Sequence, residues 1–252
     1  MTERIAYGGK MLYGASLGIL ATDSRIPSMP GCTRHARTWP FPVIYEIVPG
    51  ASTKRVVLDG GGGLLNAVLE TADILIRKGV DGIATTGGFC SLYQAELTVH
   101  CNIPVAASSL MQIPLVQQLL PPDKRVGVIT IHGAKLTTTH LKAANAPADT
   151  PVVGTEAGRE ITRVLLNEEA TLDVAKAELD VLDAGRELIQ RHPDVGAVVL
   201  ECHDFAPYAA ALRRATGLLV YSVYSFLTWF HSGLEPRIFE FPAATTEHPQ
   251  HR

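Results

Sequence analysis

The sequence predicts an α/β protein made of two similar parallel-sheet halves, with a crevice between them that would enclose a small ligand. Three observations carry this. Short apolar runs bounded by Gly, Pro or Asn alternate with longer stretches of helical periodicity, the pattern of parallel strands joined by crossover helices. The composition, 46% hydrophobic and 19% charged over 252 residues, suits helices packed on sheets that are buried on both faces. A weak internal repeat completes the case. VDGIATTGG and IPVAASS return in pattern as VGAVVLECH and LLVYSVY at an offset of 115, which maps Val80 to Val195, Val105 to Val220 and Gly87 to Cys202. GILATD (18–23) likewise resembles GVITIH (127–132) at an offset of 109, pairing Asp23 with His132.

Taken in order, ASLGILATD (15–23) and PVIYEIV (42–48) read as strands. GLLNAVLETADILIRKG (63–79) has apolar residues three and four apart and closes on Lys and Gly, a helix with a stop signal. VDGIATT (80–86), IPVAASS (103–109), RVGVITI (125–131), VGAVVLE (195–201) and LLVYSV (218–223) are further strands. Helices are expected at 89–99, 110–120, 135–144, 171–191, 205–214 and 224–232. Two prolines and charged residues in LLPPDKR (119–125) mark the linker between halves. The expected domains are thus 1–121, joined by a C-terminal helix spanning 224–245, and 122–223. The Pro-rich segment 26–42 reads as an irregular loop over the crevice, and the tail AATTEHPQHR as disordered.

A net charge of −3 gives no nucleic-acid surface. The start, MTERIAYGGKMLYG, lacks the pattern of a secretory signal, and the two long uncharged stretches, 97–122 and 215–234, are broken by Pro, Gly or polar residues; the expectation is a cytoplasmic protein with no membrane partner. Four cysteines at 32, 90, 101 and 202 show no CxxC spacing and are expected to stay thiols. Cys32 and His35 lack a second pair at metal-ligand spacing, so no metal site is assigned.

Parallel sheets place ligands beyond the carboxyl ends of their strands, and the candidate residues lie there. Cys202 follows the strand VVLE and opens the amphipathic stretch FAPYAAALRRA, where N–H donors and the helix dipole favour a thiolate. A helix terminus contributes about 0.3–1 kcal/mol against about 1.4 for one pKa unit, so the dipole alone leaves the thiol protonated. Further help has to come from His203, His132 or the substrate; otherwise Cys202 is an inert buried filler. His203 is either a participant or a plain helix-start residue, and Asp204 reads as a cap or first-turn acid. In TTGGF, Thr85, Thr86 and the N–H groups of Gly87 and Gly88 can receive a carboxylate or enediolate, or form only a tight turn. Asp23 and Ser24, Ser108 and Ser109, and Thr130 and His132 end three further strands, as pocket residues or as turns and caps.

These residues carry a resemblance. LECHDFAPYA is similar to the second cysteine motif of the aspartate/glutamate racemase superfamily, Leu-Glu-Cys-Thr-Asn-Met-Pro-Pro-Tyr-Ala in nearer members. YGGKMLYGASLGILATDSRIPSMPG resembles its N-terminal signature, and IATTGGFCSLYQAEL and IPVAASSLMQIPLV look like its middle motifs, in the same order over most of residues 7–225. The resemblance implies two α/β domains related by a pseudo-twofold axis, an active site between them, and no organic cofactor or metal. It also implies proton transfer at a carbon next to a carboxylate or carbonyl. Racemases of this kind use two cysteines on opposite faces of that carbon, since a single base returns its proton to the face it came from. Here Gly87 stands where the first cysteine belongs. Either Cys90, one helical turn further on, takes its place, or the enzyme works with Cys202 alone, as arylmalonate decarboxylase does with a glycine at this position.

The expected function is therefore a cofactor-independent racemase or isomerase with a cysteine acid/base, acting on a small carboxylate or amino-acid-like substrate. The alternatives are a single-cysteine decarboxylase of a substituted malonate and a non-catalytic binder of small ligands. The sequence leaves open whether the chain forms a homo-oligomer.

Overall fold

The computed structural model describes residues 5–239. Two four-stranded, all-parallel sheets form its frame, ordered β2-β1-β3-β4 and β6-β5-β7-β8, so the second half repeats the strand order of the first. The first sheet comprises β1 (Leu17–Thr22), β2 (Val43–Val48), β3 (Gly82–Thr85) and β4 (Val105–Ala106); the second comprises β5 (Arg125–Thr130), β6 (Val152–Gly154), β7 (Val195–Leu200) and β8 (Leu219–Tyr221). Every residue of β1 is buried, as expected of a central strand with helices on both faces.

The repeat seen in the sequence is a repeat of structure. β3 and β7 each lead into a six-residue 3-10 turn and then an eight-residue helix: 88–93 then α3 (Gln94–Cys101), and 203–208 then α8 (Ala209–Thr216). All boundaries are 115 residues apart, and Gly87 and Cys202 occupy the same capping position before their turns. The helices expected from 89 and 205 thus begin in tighter 3-10 form, in the second case with Pro207 inside. The 110–120 and 135–144 helices also open on 3-10 turns and give α4 (Ile113–Leu119) and α5 (Thr138–Ala143).

The remaining elements are α1 (Thr53–Leu58), α2 (Leu65–Lys78), α6 (Ile161–Asn167), α7 (Val174–Arg191) and α9 (Val223–Leu234). α2 ends as expected, Gly79 adopting a left-handed conformation with its N–H on the Ile76 carbonyl. α1, β6 and α6 went unforeseen. Ser52 caps α1, and the Asp180 carboxylate accepts the N–H groups of Arg159, Glu160 and Ile161 at the start of α6, a tertiary cap from α7.

After β8 the chain crosses back, and α9 packs Val223, Phe226 and Leu227 on Leu17, Ile19, Ala84 and Ala106 of the first sheet. Burying Phe226 and Leu227 contributes about 1.5–3 kcal/mol each. The helix stops at Leu234, not 245: residues 236–239 are irregular, and 240–245 lie outside the described residues, as does the tail read as disordered. The segment 26–42 is an ordered loop. Thr38 donates to the Cys32 carbonyl at 2.7 Å and accepts from the Gly31 N–H at 2.9 Å, and Trp39 stacks between Phe41 and Tyr224 of α9. Among the described residues no helix is long and apolar enough to cross a membrane.

Candidate active site

The carboxyl ends of the two central β-strand pairs face each other, and the turn after β7 brings Cys202, His203 and Asp204 to the junction. They line a narrow interlobe cavity with Thr22, Thr86 and Gly87. Cys202 is 7% exposed, so its sulfur is nearly buried yet borders the cavity. Burial, then the charges of Asp204 and Glu201, push its thiol well above the ordinary range, against the N–H of Asp204. The resting group is a protonated thiol, in keeping with the small reach of the helix terminus. His203 is held below its ordinary value, chiefly by burial, and is neutral at pH 7; its Nε2 lies 3.4 Å from the Asp204 carboxylate.

Cys90 opens elsewhere. It lines a separate cavity inside the first half with Leu20, Tyr93 and Thr85, and Thr22, Val56 and Thr86 form the wall common to the two spaces. That wall is tied together, Thr86 Oγ1 accepting from the Thr22 N–H at 2.9 Å. A Cβ placed on Gly87 would sit 3.5 Å from the Cys90 sulfur, so Cys90 lies directly behind the empty mirror position of Cys202. Burial raises the Cys90 thiol to about 11.

The expected cradle at Gly88 is already filled. Glu201, fully shielded at the end of β7, reaches across to the opposite turn, where a Cβ on Gly88 would collide with its carboxylate and lie 2.7 Å from its carbonyl oxygen. Gly88 is therefore glycine to admit Glu201, not to meet a substrate. Thr130 donates to Glu201 Oε2 at 2.7 Å, and the backbone amides of Phe89, Ile131 and Gly88 also favour its charged form; burial outweighs them and raises the carboxyl to about 7. Thr130 thus holds Glu201 and does not border the cavity.

Several other expected pocket residues face away. Ser108 donates to the Gly88 carbonyl at 2.7 Å, and Ser109 to the carbonyls of Leu200 and Glu201 at 2.9 and 3.1 Å, stapling the halves together behind the site. Thr85 donates to the Ala107 carbonyl. Asp23 is exposed and accepts the Gly50 N–H at 3.3 Å, while His132 lies 3.6 Å from Glu156. Ser24 lines neither cavity, although its hydroxyl is shielded without a partner among the described residues. Two residues were missed. Glu201 had one signal, an acid ending an otherwise apolar strand. Cys32, to which the sequence assigned no role in the site, sits beside Asp204 and Ser28, and its charge would be felt at Cys202. No three His, Cys, Asp or Glu side chains gather at metal-ligand geometry among the described residues.

The fold has known counterparts. An allantoin racemase from Pseudomonas fluorescens superposes with a TM-score of 0.60 at 16% identity, over 86% of this chain and 90% of that one. Unliganded arylmalonate decarboxylase gives 0.56 at 16% over 91% and 96%, and a glutamate racemase from Bacillus anthracis gives 0.58 at 14% over 87% and 83%. The chain has the fold that these two racemases and the decarboxylase share. No family model matches the sequence. Sequence relatives are a dimethylsulfoniopropionate lyase of Durusdinium sp. clade D, 25% identical over 87% of this chain and 75% of its own length, and dimethylsulfoniopropionate lyase 5 of Emiliania huxleyi, 26% identical over 86%. The chain spans 45% of the latter.

Proposed function

We propose that this protein is a cofactor-independent lyase that removes a proton next to a carboxylate with a single cysteine, Cys202, and expels a cationic sulfur leaving group from the adjacent carbon. One observation carries the single-cysteine part: among the described residues Cys202 is the thiol bordering the interlobe cavity, while Cys90 lies behind the Thr22 and Thr86 wall. A reaction that handles one proton on one face needs no second base. The likeness to dimethylsulfoniopropionate lyases over most of the chain supports elimination as that reaction.

The electrostatics agree. The acids that disfavour a thiolate at Cys202 also make the cavity hospitable to a cation, and a bound sulfonium would lower the thiol in turn. The thiol proton is lost to solvent as the substrate binds, with His203 on the same cavity wall. The thiolate removes the α-proton, the new carbon–carbon double bond forms, and the carbon–sulfur bond breaks with its electron pair leaving on the sulfide.

Incubation with dimethylsulfoniopropionate should release dimethyl sulfide and acrylate, and Cys202→Ala should abolish the release. A second reading, decarboxylation of a substituted malonate, is favoured by the protonated resting thiol and by Gly87; there the thiol delivers its proton to the carbanion. Carbon dioxide release with deuterium uptake from heavy water, and no sulfide from the sulfonium substrate, selects it. Deuterium uptake with no bond to carbon broken returns the reading to a racemase.

A further inference from the structure

Arg34, in the loop 26–42, takes no part in the site as described so far. Its Nη1 donates to the Ser24 carbonyl at 2.7 Å, which holds one side of the guanidinium. Its Nε and Nη2 are shielded from solvent and have no hydrogen-bond partner among the described residues. Those two atoms form one edge of the guanidinium, the side-on fork that matches the two oxygens of a carboxylate. Shielded donors on a permanent cation are costly to leave unmet, so the fork calls for an anion.

The loop carries this fork to the turn that holds Cys202. Gly31, at φ +105°, lies so close to Pro207 that a Cβ there would come within 3.1 Å of the proline ring, and the Thr38 hydroxyl locks the loop in that position. Arg34 stands behind the cavity wall rather than among its lining residues, and its charge reaches His203, which does line it. The Ser28 hydroxyl and Asp204 Oδ1 are likewise shielded and, apart from the Cys32 thiol beside both residues, unpartnered among the described residues; Asp204 lines the cavity. The shielded, unmatched groups thus comprise a fork for an anion and a carboxylate oxygen for a cation.

We propose that Arg34 anchors the substrate carboxylate through Nε and Nη2, and that the substrate is a short zwitterion whose cationic end faces Asp204. This rests on the reading of Cys202 as the reacting group, and it adds the residue that sets the substrate's direction in the cavity.

Alkylation of Cys202 tests the anchor without any turnover assay. Iodoacetate and iodoacetamide differ only in carrying a carboxylate or a neutral amide; with either, the sulfur–carbon bond forms as iodide leaves and the thiol proton passes to buffer. Peptide mass spectrometry gives the rate of each at Cys202. The ratio of iodoacetate to iodoacetamide rates is expected to fall about tenfold or more in Arg34→Gln, with the iodoacetamide rate little changed, and to fall less in Arg34→Lys, which keeps the charge and loses the fork. Should Arg34→Gln fail to fold, Arg34→Lys carries the same test. An equal ratio in all folded variants overturns the anchor, whatever the turnover. If neither reagent reaches Cys202 in the unaltered protein, the anchor and the cysteine reading fall together. If the ratio falls as expected while no sulfonium, malonate or racemisation substrate turns over, the anchor stands and the lyase reading fails alone.

Discussion

The turn at 86–93 and its copy at 201–208 share one backbone plan and almost no chemistry. The first reads Thr, Gly, Gly, Phe, Cys, Ser, Leu, Tyr; the second reads Glu, Cys, His, Asp, Phe, Ala, Pro, Tyr. Where the second turn places Cys202, the first has a glycine, and where the second sends Glu201 across the junction, the first offers Gly88 as the space that receives it. Only the closing tyrosines match, and even they differ: the Tyr93 hydroxyl donates to the Gly61 carbonyl at 2.7 Å, whereas that of Tyr208 has no partner among the described residues. The duplication supplies a symmetric vault, and the residues make it one-sided. One turn carries the acids and the thiol; the other serves as floor.

The sharpest way to break this comparison is to remove the thiol from the active side. Cys202→Ala is expected to lower sulfide release by about 10²–10⁴-fold, measured at saturating substrate with the fold checked by circular dichroism. A smaller loss places the proton chemistry on another group. Next comes the crossing acid. Glu201→Leu leaves Thr130 and nearby amides facing hydrocarbon, and should cost about 1–3 kcal/mol in urea denaturation. The same carboxyl gives a pH signature. It holds its proton in the folded protein up to about 7, while an unfolded glutamate releases it near 4.5. The folded state therefore binds more protons in that window, and stability falls as pH rises through it, by on the order of 3 kcal/mol. Glu201→Gln should flatten that slope; an unchanged slope assigns it to other groups.

Milder still is Gly87→Cys, which restores chemical symmetry. The added Cβ meets the Cys90 sulfur at ordinary contact distance, so the variant should fold. It should then exchange deuterium into both faces of a carboxylate lacking a leaving group, where the unaltered protein exchanges one. The smallest effect is expected from Cys90→Ala: about 1 kcal/mol of stability for the lost packing and less than about threefold in rate. A rate loss like that of Cys202→Ala would bring Cys90 into the reaction and restore the two-cysteine reading.

How far the sequence showed all this follows from where its signals lie. Strong apolar runs and the offset of 115 placed both sheets and paired Gly87 with Cys202, because each strand and turn is specified by neighbouring residues. α1, β6 and α6 escaped because they are short and because a distant side chain, Asp180, supplies the cap that starts α6. The pocket list suffered from the same blindness. Ser108, Ser109 and Thr130 end strands, as pocket residues do, yet their hydroxyls reach groups some 20 to 90 positions away, which no local pattern records. Arg34 lies in a loop with no periodicity, and only its unmatched donors in three dimensions draw attention to it.

The stacking of Trp39 on Tyr224 has a practical sequel. The chain contains two tryptophans, and the other, Trp229, is 61% exposed on the far helix face. Emission at the blue edge of the spectrum will therefore report on the segment bearing Arg34 alone, an optical gauge native to the protein that registers any lifting of that segment as ligands come and go.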